Sequence, residues 1–177
     1  MDGKTGSLAE NYLALEDAAL LDQCDVDCYR SRGPGGQKRN KTSSAVRLRH
    51  RPTRLAAIAT EDRSQHVNKA RAIRRLREAI ALHIRRDVDE ASYAPSDLLR
   101  ASISADGRFL VGRRDPRRCL AVSEILDLMA ACNVATSRAA KCLGLSTGQL
   151  IKLLRADRKL WAQVNRMRAA VGAKPLR

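Results

Sequence analysis

The apolar positions change period several times along the chain, and each change predicts an element. After a polar tail through residue 10, Leu13, Leu15, Ala18, Ala19 and Leu21 fall on or near one side of a short helix over residues 11–22. Cys24, Val26 and Cys28 then alternate with Asp25, Asp27 and Tyr29, the period of a half-buried strand. Gly33-Pro34-Gly35-Gly36 can continue neither strand nor helix. Beyond a polar helical turn from Asn40 to Ser44, Val46, Leu48 and His50 alternate with Arg47, Arg49 and Arg51, so a second strand carries three arginines on its outer face. Pro52-Thr53 makes a corner and Leu55–Thr60 a third short strand. Asp62 with Gln65 resembles a capping box, and Val67, Ala70, Ile73, Leu76, Ile80 and Ile84 form the apolar stripe of one long helix.

The second half reads differently. Residues 87–98 are acidic and turn-rich, as expected of a linker, and Ser102–Gly112 suggests a hairpin around Asp106-Gly107. Val122, Ile125, Leu126 and Met129 mark a helix, and Ser137–Leu143 a second, stopped by Gly144. A third is opened by Ser146 with Gln149 as a capping box, and a fourth runs from Asp157 to Val171 with Trp161 and Val164 inward. The expected fold class is α+β: a small mixed sheet bearing the glycine loop and one long packing helix, then a small all-helical module resembling a helix-turn-helix. The expected divisions are 1–21 (tail and short helix), 22–86 (glycine-loop domain), 87–98 (linker) and 99–177 (basic, mostly helical module).

With 177 residues and 44% apolar content, the chain has room for one core, or one core and an appendage. No apolar run approaches the roughly 18 residues of a membrane span, and the acidic start lacks the pattern of a signal peptide, so a cytoplasmic protein without a membrane partner is expected. The five cysteines lack Cys-x-x-Cys spacing and read as reduced thiols. Cys24 and Cys28 sit four apart on a strand with no histidine at ligand spacing, so neither a metal nor another cofactor is expected.

Charge narrows the partner. The net +15 divides into −6 over residues 1–27, +14 over 28–86 and +7 over 87–177, so the middle third is the expected phosphate-facing surface. Basic composition by itself fits DNA, RNA or an anionic membrane. One Trp, three Tyr and one Phe argue against a reader that stacks bases on rings, which leaves backbone and shape contacts.

A glycine-rich segment after a strand can cradle phosphates, make a plain turn, or place a backbone N–H at a reaction centre through conformations closed to other residues. Neither GxGxxG nor GxxxxGK[ST] is present. Residues 30–46, Arg-Ser-Arg-Gly-Pro-Gly-Gly-Gln-Lys-Arg-Asn-Lys-Thr-Ser-Ser-Ala-Val, resemble the Gly-Gly-Gln segment of bacterial-type class I peptide chain release factors and their ribosome-rescue relatives. A second stretch in register, Glu61-Asp62-Arg63-Ser64-Gln65-His66-Val67-Asn68-Lys69-Ala70-Arg71-Ala72, is similar to the opening of that domain's long helix. The likeness covers roughly residues 22–86.

The resemblance implies a peptidyl-tRNA hydrolase that cleaves the nascent-chain ester in the ribosomal peptidyl transferase centre, with Gly35, Gly36 and Gln37 as its catalytic tripeptide. It implies that the Gln37 N–H stabilises the tetrahedral species while its side chain admits water and excludes other nucleophiles. It also implies RNA contacts from Arg30, Ser31, Arg32, Pro34, Lys38, Arg39, Asn40, Lys41, Arg47, Arg49 and Lys69. Arg32 and Arg39 depart from the family, which usually has a small polar residue and an apolar Val or Ile there. Pro34, where stop-codon readers commonly carry Ala, leans towards the rescue branch, as does the lack of a Pro-x-Thr or Ser-Pro-Phe tripeptide and of residues enough before the loop for the family's other domains. Codon-independent release follows as the expectation, on stalled particles without mRNA in the decoding site or on split large subunits. The expected partners are large-subunit rRNA and peptidyl-tRNA, met by a monomer.

Residues 134–156 raise a reading of another class. A helix, a Gly turn and a capped helix have the shape of a helix-turn-helix that would present Thr147, Gln149, Lys152 and Arg155 to DNA. The more economical expectation is a grip on small-subunit RNA or a ribosomal protein by Lys152, Arg155, Arg158, Lys159, Arg166 and Arg168. His50, His66 and His83 read as packing or surface histidines.

Overall fold

The computed structural model describes residues 12–30 and 43–177. The polar tail and most of the glycine segment therefore lie outside the described residues, as does the start of the turn predicted over Asn40–Ser44. The chain divides into two compact units, one over Ala14–Ile80 and one that takes in Ala81–Arg177.

The first unit begins with α1 (Asp17–Asp22), shorter than the helix expected over residues 11–22. Its buried residue is Leu20, outside the predicted side, because the short helix turns that edge towards β1. Three strands follow, β1 (Cys24–Tyr29), β2 (Ala45–His50) and β3 (Ala56–Ala59), in the order β1-β2-β3. Both pairings are antiparallel, so the sheet is not mixed as expected. The register runs from Cys24↔His50 to Tyr29↔Ala45 and from Val46↔Ala59 to Arg49↔Ala56.

The period-2 pattern of β2 is borne out, with Val46, Leu48 and His50 buried and Arg49 exposed. That of β1 is not: Val26 is 42% exposed and Cys28 is exposed, although the register puts both on the same face as Leu48 and Val46. As an edge strand, β1 has cover for its core face only at Cys24, whose thiol donates to the Leu20 carbonyl at 3.2 Å.

Helix α2 (Gln65–His83) adds Ala72, Ile73, Leu76 and Ile80 to this core. The predicted stripe is partly displaced, since Ala70 is exposed, Asn68 is buried, and Ile84 lies beyond the helix end. Nor is the cap the expected Asp62/Gln65 box. Ser64 stands before the first helical residue and its hydroxyl accepts from the Val67 N–H at 3.4 Å, while Asp62 accepts from the Ser64 N–H at 3.0 Å and shapes the turn before it.

The second unit contains α3 (Asp97–Ser102), α4 (Pro116–Ala131), α5 (Thr136–Cys142), α6 (Thr147–Arg155) and α7 (Arg158–Ala170). Helix α4 packs against α3, α5 and α7, and α6 against α5 and α7. Leu99, Ile125, Leu126, Leu128, Met129, Leu150, Leu153, Leu154 and Leu160 are fully buried between them, each stabilising by about 1.5–3 kcal/mol relative to exposure. Trp161, expected inward, is only half-buried; Leu160 and Val164 take the inner positions.

The ends of these helices follow from local chemistry. Ser96, Asp115 and Asp157 cap α3, α4 and α7, and the Ser146/Gln149 capping box of α6 is present as read from the sequence. Helix α5 ends with Gly144 at φ 67°, its N–H on the Lys141 carbonyl and the Leu145 N–H on that of Ala140. The hairpin expected over residues 102–112 is reduced to one bridge, Ile103↔Phe109, around Gly107 at φ 73°. Residues 86–96 are tied to α4: Glu124 accepts from the Tyr93 hydroxyl at 2.9 Å and the Ser96 N–H at 2.8 Å, and buried Asp127 accepts from the Arg86 N–H at 3.0 Å. Among the described residues no helix is long and apolar enough to cross a membrane.

Candidate functional site

The Tyr29↔Ala45 pair ends the β1–β2 ladder, so the two strands present the ends of residues 30–44 side by side. Of the tripeptide and its flanks, Gly35, Gly36, Gln37, Ser31, Arg32, Pro34, Lys38, Arg39, Asn40 and Lys41 lie outside the described residues. Arg30 is exposed at the end of β1.

On the far side of the connection stands Ser44, and the device that holds it is Asn68. Its side-chain amide donates to the Ser44 carbonyl at 2.7 Å and to the Asp62 carbonyl at 2.8 Å, while its carbonyl accepts from the Asp62 N–H at 3.0 Å. Asn68 is wholly buried, so these bonds form away from competing water and fix the base of the connection to the turn that opens α2. A polar residue inside an apolar helical stripe was the signal that could have found it.

The arginine face of β2 is less positive than its sequence suggests. Arg47 donates twice to Asp27, at 3.0 and 2.7 Å, and Arg51 pairs with Asp25 at 3.3 Å. The register sets Asp27 directly opposite Arg47 and Asp25 opposite Arg49, within reach of Arg51, so part of the acidic N-terminal charge is used against Arg47 and Arg51. Arg49, Arg54, Lys69 and Arg74 have no ion pair within 4 Å among the described residues, and Arg49, Arg51 and Arg54 rim an open depression with Asp25, His50 and Ala56. Elsewhere arginines bind the fold: Arg77, nearly buried, reaches Asp17 at 2.8 Å and the Leu15 carbonyl, and Arg75 meets Glu61 and the Ile58 carbonyl. That hydrogen bond from Arg75 holds the Glu61 carboxyl below the usual carboxylate range.

His50 is a core histidine. One ring nitrogen lies 2.8 Å from the Thr53 hydroxyl and the other 3.1 Å from the Gln23 side-chain carbonyl, so both ring nitrogens are partnered within the fold. Burial, and then the Arg51 charge, lower its pKa. His66 and His83 are exposed.

In the helical unit, Lys152 lies 3.8 Å from Asp106, Arg155 covers the Trp161 ring at 5.2 Å, and Arg166 donates to Gln163 at 2.9 Å. Arg158 and Lys159 are exposed at the start of α7. Arg168 is half-buried and holds structure together, donating to the Val134 and Lys174 carbonyls at 2.7 Å each.

On the face proposed for DNA recognition, Thr147, Lys152 and Arg155 are exposed and Gln149 is engaged within the fold. Gln149 spends its amide on the Ala105 carbonyl at 2.9 Å, and a Cβ on Gly107 would stand 2.4 Å from the Gln149 backbone oxygen. The 104–108 turn thus meets α6 at Gln149.

A cluster absent from the sequence reading also emerges, because long-range folding makes it. Glu90, Cys132 and Cys142 bring a carboxylate oxygen and two sulfurs within 4.8 Å of one another. Burial, with Glu90 and Cys142 alongside, pushes the Cys132 thiol up to about 12.

Comparison with known proteins bears on the first unit and on the residues that follow it as far as 104. Residues 20–104 match the family described as RF-1 domain. The chain is 47% identical over 66 residues to peptide chain release factor 1 of Rhodospirillum rubrum, covering 37% of this chain and 19% of that protein. It is 44% identical over 100 residues to peptide chain release factor 1 of Leptothrix cholodnii, covering 56% and 27%. To peptide chain release factor 2 of Buchnera aphidicola it is 46% identical over 70 residues, covering 37% and 19%. The chain thus spans about a fifth to a quarter of the length of these relatives. The matched region takes in the Gly-Gly-Gln connection, the Asn68 anchor at its base and the whole of α2, and over it residues 20–104 of this chain are an RF-1 domain of the class I peptide chain release factor type.

Proposed function

We propose that this chain hydrolyses the ester joining a nascent peptide to tRNA, acting with the ribosome and without reading a stop codon. The observation that carries the reading is the RF-1 match over residues 20–104 with Gly35-Gly36-Gln37 inside it, on a connection whose ends are paired at Tyr29↔Ala45. Water attacks the ester carbonyl, the Gln37 N–H donates to the developing oxyanion, and the tRNA hydroxyl leaves with a proton. One such donor is worth about 10² to 10³ in rate. Gly35 and Gly36 supply backbone freedom, and the Gln37 side chain selects water over other nucleophiles. The surrounding RNA provides the rest of the reaction centre, so no carboxylate pair or nucleophilic side chain is required.

Docking rests on phosphate contacts. The cations flanking the tripeptide, with Arg30, Arg49 and Lys69, meet large-subunit rRNA, while Arg47 must first exchange Asp27 for a phosphate. Lys152, Arg155, Arg158, Lys159 and Arg166 offer a second basic surface, to small-subunit RNA or a ribosomal protein. Arg168, which holds the Val134 turn, stands behind it. The cytoplasmic, monomeric state is part of the same reading. Codon independence is supported by Pro34 and by this basic helical surface, which offers anchorage that needs no codon.

The test is release of labelled peptide from ribosomes carrying no-stop mRNA, stop codons or long 3′ extensions, and from isolated large subunits. Release on no-stop complexes without a stop codon is expected; strict stop-codon dependence would place the activity with the release factors 1 and 2 that the chain resembles. Gly36→Ala should abolish release, because it restricts the backbone that aims the N–H, whereas Gln37→Ala should retain a reduced rate. Near wild-type release by both variants overturns the assignment.

A further inference from the structure

We propose that Glu90, Cys132 and Cys142 form a binding site for a thiophilic divalent cation, zinc above others, with water in the fourth position. The proposal is independent of peptide release. The three donors come from separate parts of the helical unit: Glu90 from the segment after α2, Cys132 from the C-cap of α4, and Cys142 from the last residue of α5. In a tetrahedral zinc site with Zn–S near 2.3 Å, two sulfurs stand about 3.8 Å apart. The donors here lie within 4.8 Å of one another, so side-chain rotation of an ångström or less closes the site. Two sulfurs and one carboxylate select a soft or borderline ion; calcium and magnesium want oxygen ligands.

The surroundings are arranged for such an ion. Cys132 is followed by Asn133 and Val134, both left-handed at φ 52° and 57°. A β-branched residue resists that conformation, and here it is held by the Val134 N–H on the Met129 carbonyl at 2.7 Å and by Arg168 on the Val134 carbonyl. This turn carries the chain from Cys132 into α5, which ends at Cys142.

Arg138, one helical turn before Cys142, donates its Nε to Glu90 at 2.7 Å, with a second bond from its terminal nitrogen to the other carboxylate oxygen. It would orient the ligand and balance charge: two thiolates, one carboxylate, a dication and one guanidinium sum to zero, the two thiol protons passing to solvent. Cys132 is fully buried, while Cys142 and Glu90 are partly exposed and leave a way in. A cation here would pin the segment containing Glu90 to the α4–α5 junction.

The full chain, reduced and stripped of metal by chelator, is titrated with cobalt(II) and then zinc. One equivalent of cobalt should give thiolate-to-metal charge transfer and intense visible bands of four-coordination, and zinc should displace it. Cys142→Ser, at a partly exposed helix end, should weaken binding roughly 100-fold and lose about half the charge-transfer intensity. Glu90→Gln should weaken it while keeping both thiolate bands, and Cys28→Ser should change nothing. Circular dichroism confirms that each variant is folded, and Cys132→Ser is added as a second thiolate variant. Absence of the cobalt bands in the wild-type chain, their undiminished intensity in Cys142→Ser, or their loss in Cys28→Ser overturns the proposal. So does a Cys132–Cys142 disulfide formed with a mild oxidant in a chain that takes up no cobalt.

Discussion

The sheet unit and the helical unit solve the same burial problem with different materials. The helical unit fills its interior mainly with leucines, and among them it buries Asp127, Arg118, Ser102 and Ser123 by nine-tenths or more without hiding any of these wholly. The sheet unit has Ala45, Ala57, Ala59 and Ala72 at core positions where larger side chains would bury more, and it adds wholly buried polar groups, Asn68 and His50, with Arg77 nearly so. Small side chains contribute little transfer free energy, so hydrogen bonds and paired arginines carry more of its specificity. The lesson is that a basic sequence block is not the same as a basic surface, because Arg47, Arg51, Arg71, Arg75 and Arg77 are engaged within the fold.

The largest effects should separate the two materials. Leu126→Ala in the helical unit should destabilise by about 2–5 kcal/mol through lost burial and a residual cavity, while Asn68→Leu in the sheet unit should cost about 3 kcal/mol although it adds apolar volume. Denaturant unfolding measures both, and an Asn68→Leu chain as stable as wild type would erase the contrast. Asn68→Leu should also slow peptide release more than Leu126→Ala does, since Ser44 loses its anchor.

A smaller effect is expected at the 104–108 turn. Gly107→Ala meets the Gln149 backbone oxygen at 2.4 Å and demands a left-handed alanine, so it should destabilise the helical unit by about 1–3 kcal/mol. Gly144→Ala, with open space around the same kind of φ, should cost only about 1 kcal/mol. Equal melting temperatures for the two would show that the turn does not press on α6.

The smallest effect is the pH dependence that His50 contributes. His50 has a folded pKa below its ordinary 6.5, so the unfolded chain binds the proton more readily. Its contribution is complete above pH 6.5 and is lost as the pH falls through that value towards the folded pKa. His83 acts in the same direction, so the measure is the difference in melting temperature between wild type and His50→Gln across pH 7 to 5. A difference independent of pH would mean that His50 titrates alike in both states.

How much of this was legible in sequence depends on how local the cause is. Motif order, the alternation of β2, the Ser146/Gln149 box and the Gly144 stop are local, and all are readable from residue type and short spacing. The exposure of Val26 was not, because an edge strand and a covered strand share one pattern. The Asp25 and Asp27 pairing was not, because register depends on the opposite strand. The tripeptide was legible only through resemblance: glycines leave no side-chain pattern, and their chemistry lies in backbone N–H groups.

Sequence alone therefore determined the family, the helical and strand periods and the basic bias, since each is written in residue type and short spacing. Tertiary structure decided which cations remain available, which polar group anchors the base of the connection, that the 104–108 turn meets α6 at Gln149, and that Glu90, Cys132 and Cys142 meet. Those four depend on contacts between residues far apart in the chain, and short-range pattern carries no information about which distant groups will share a few ångströms.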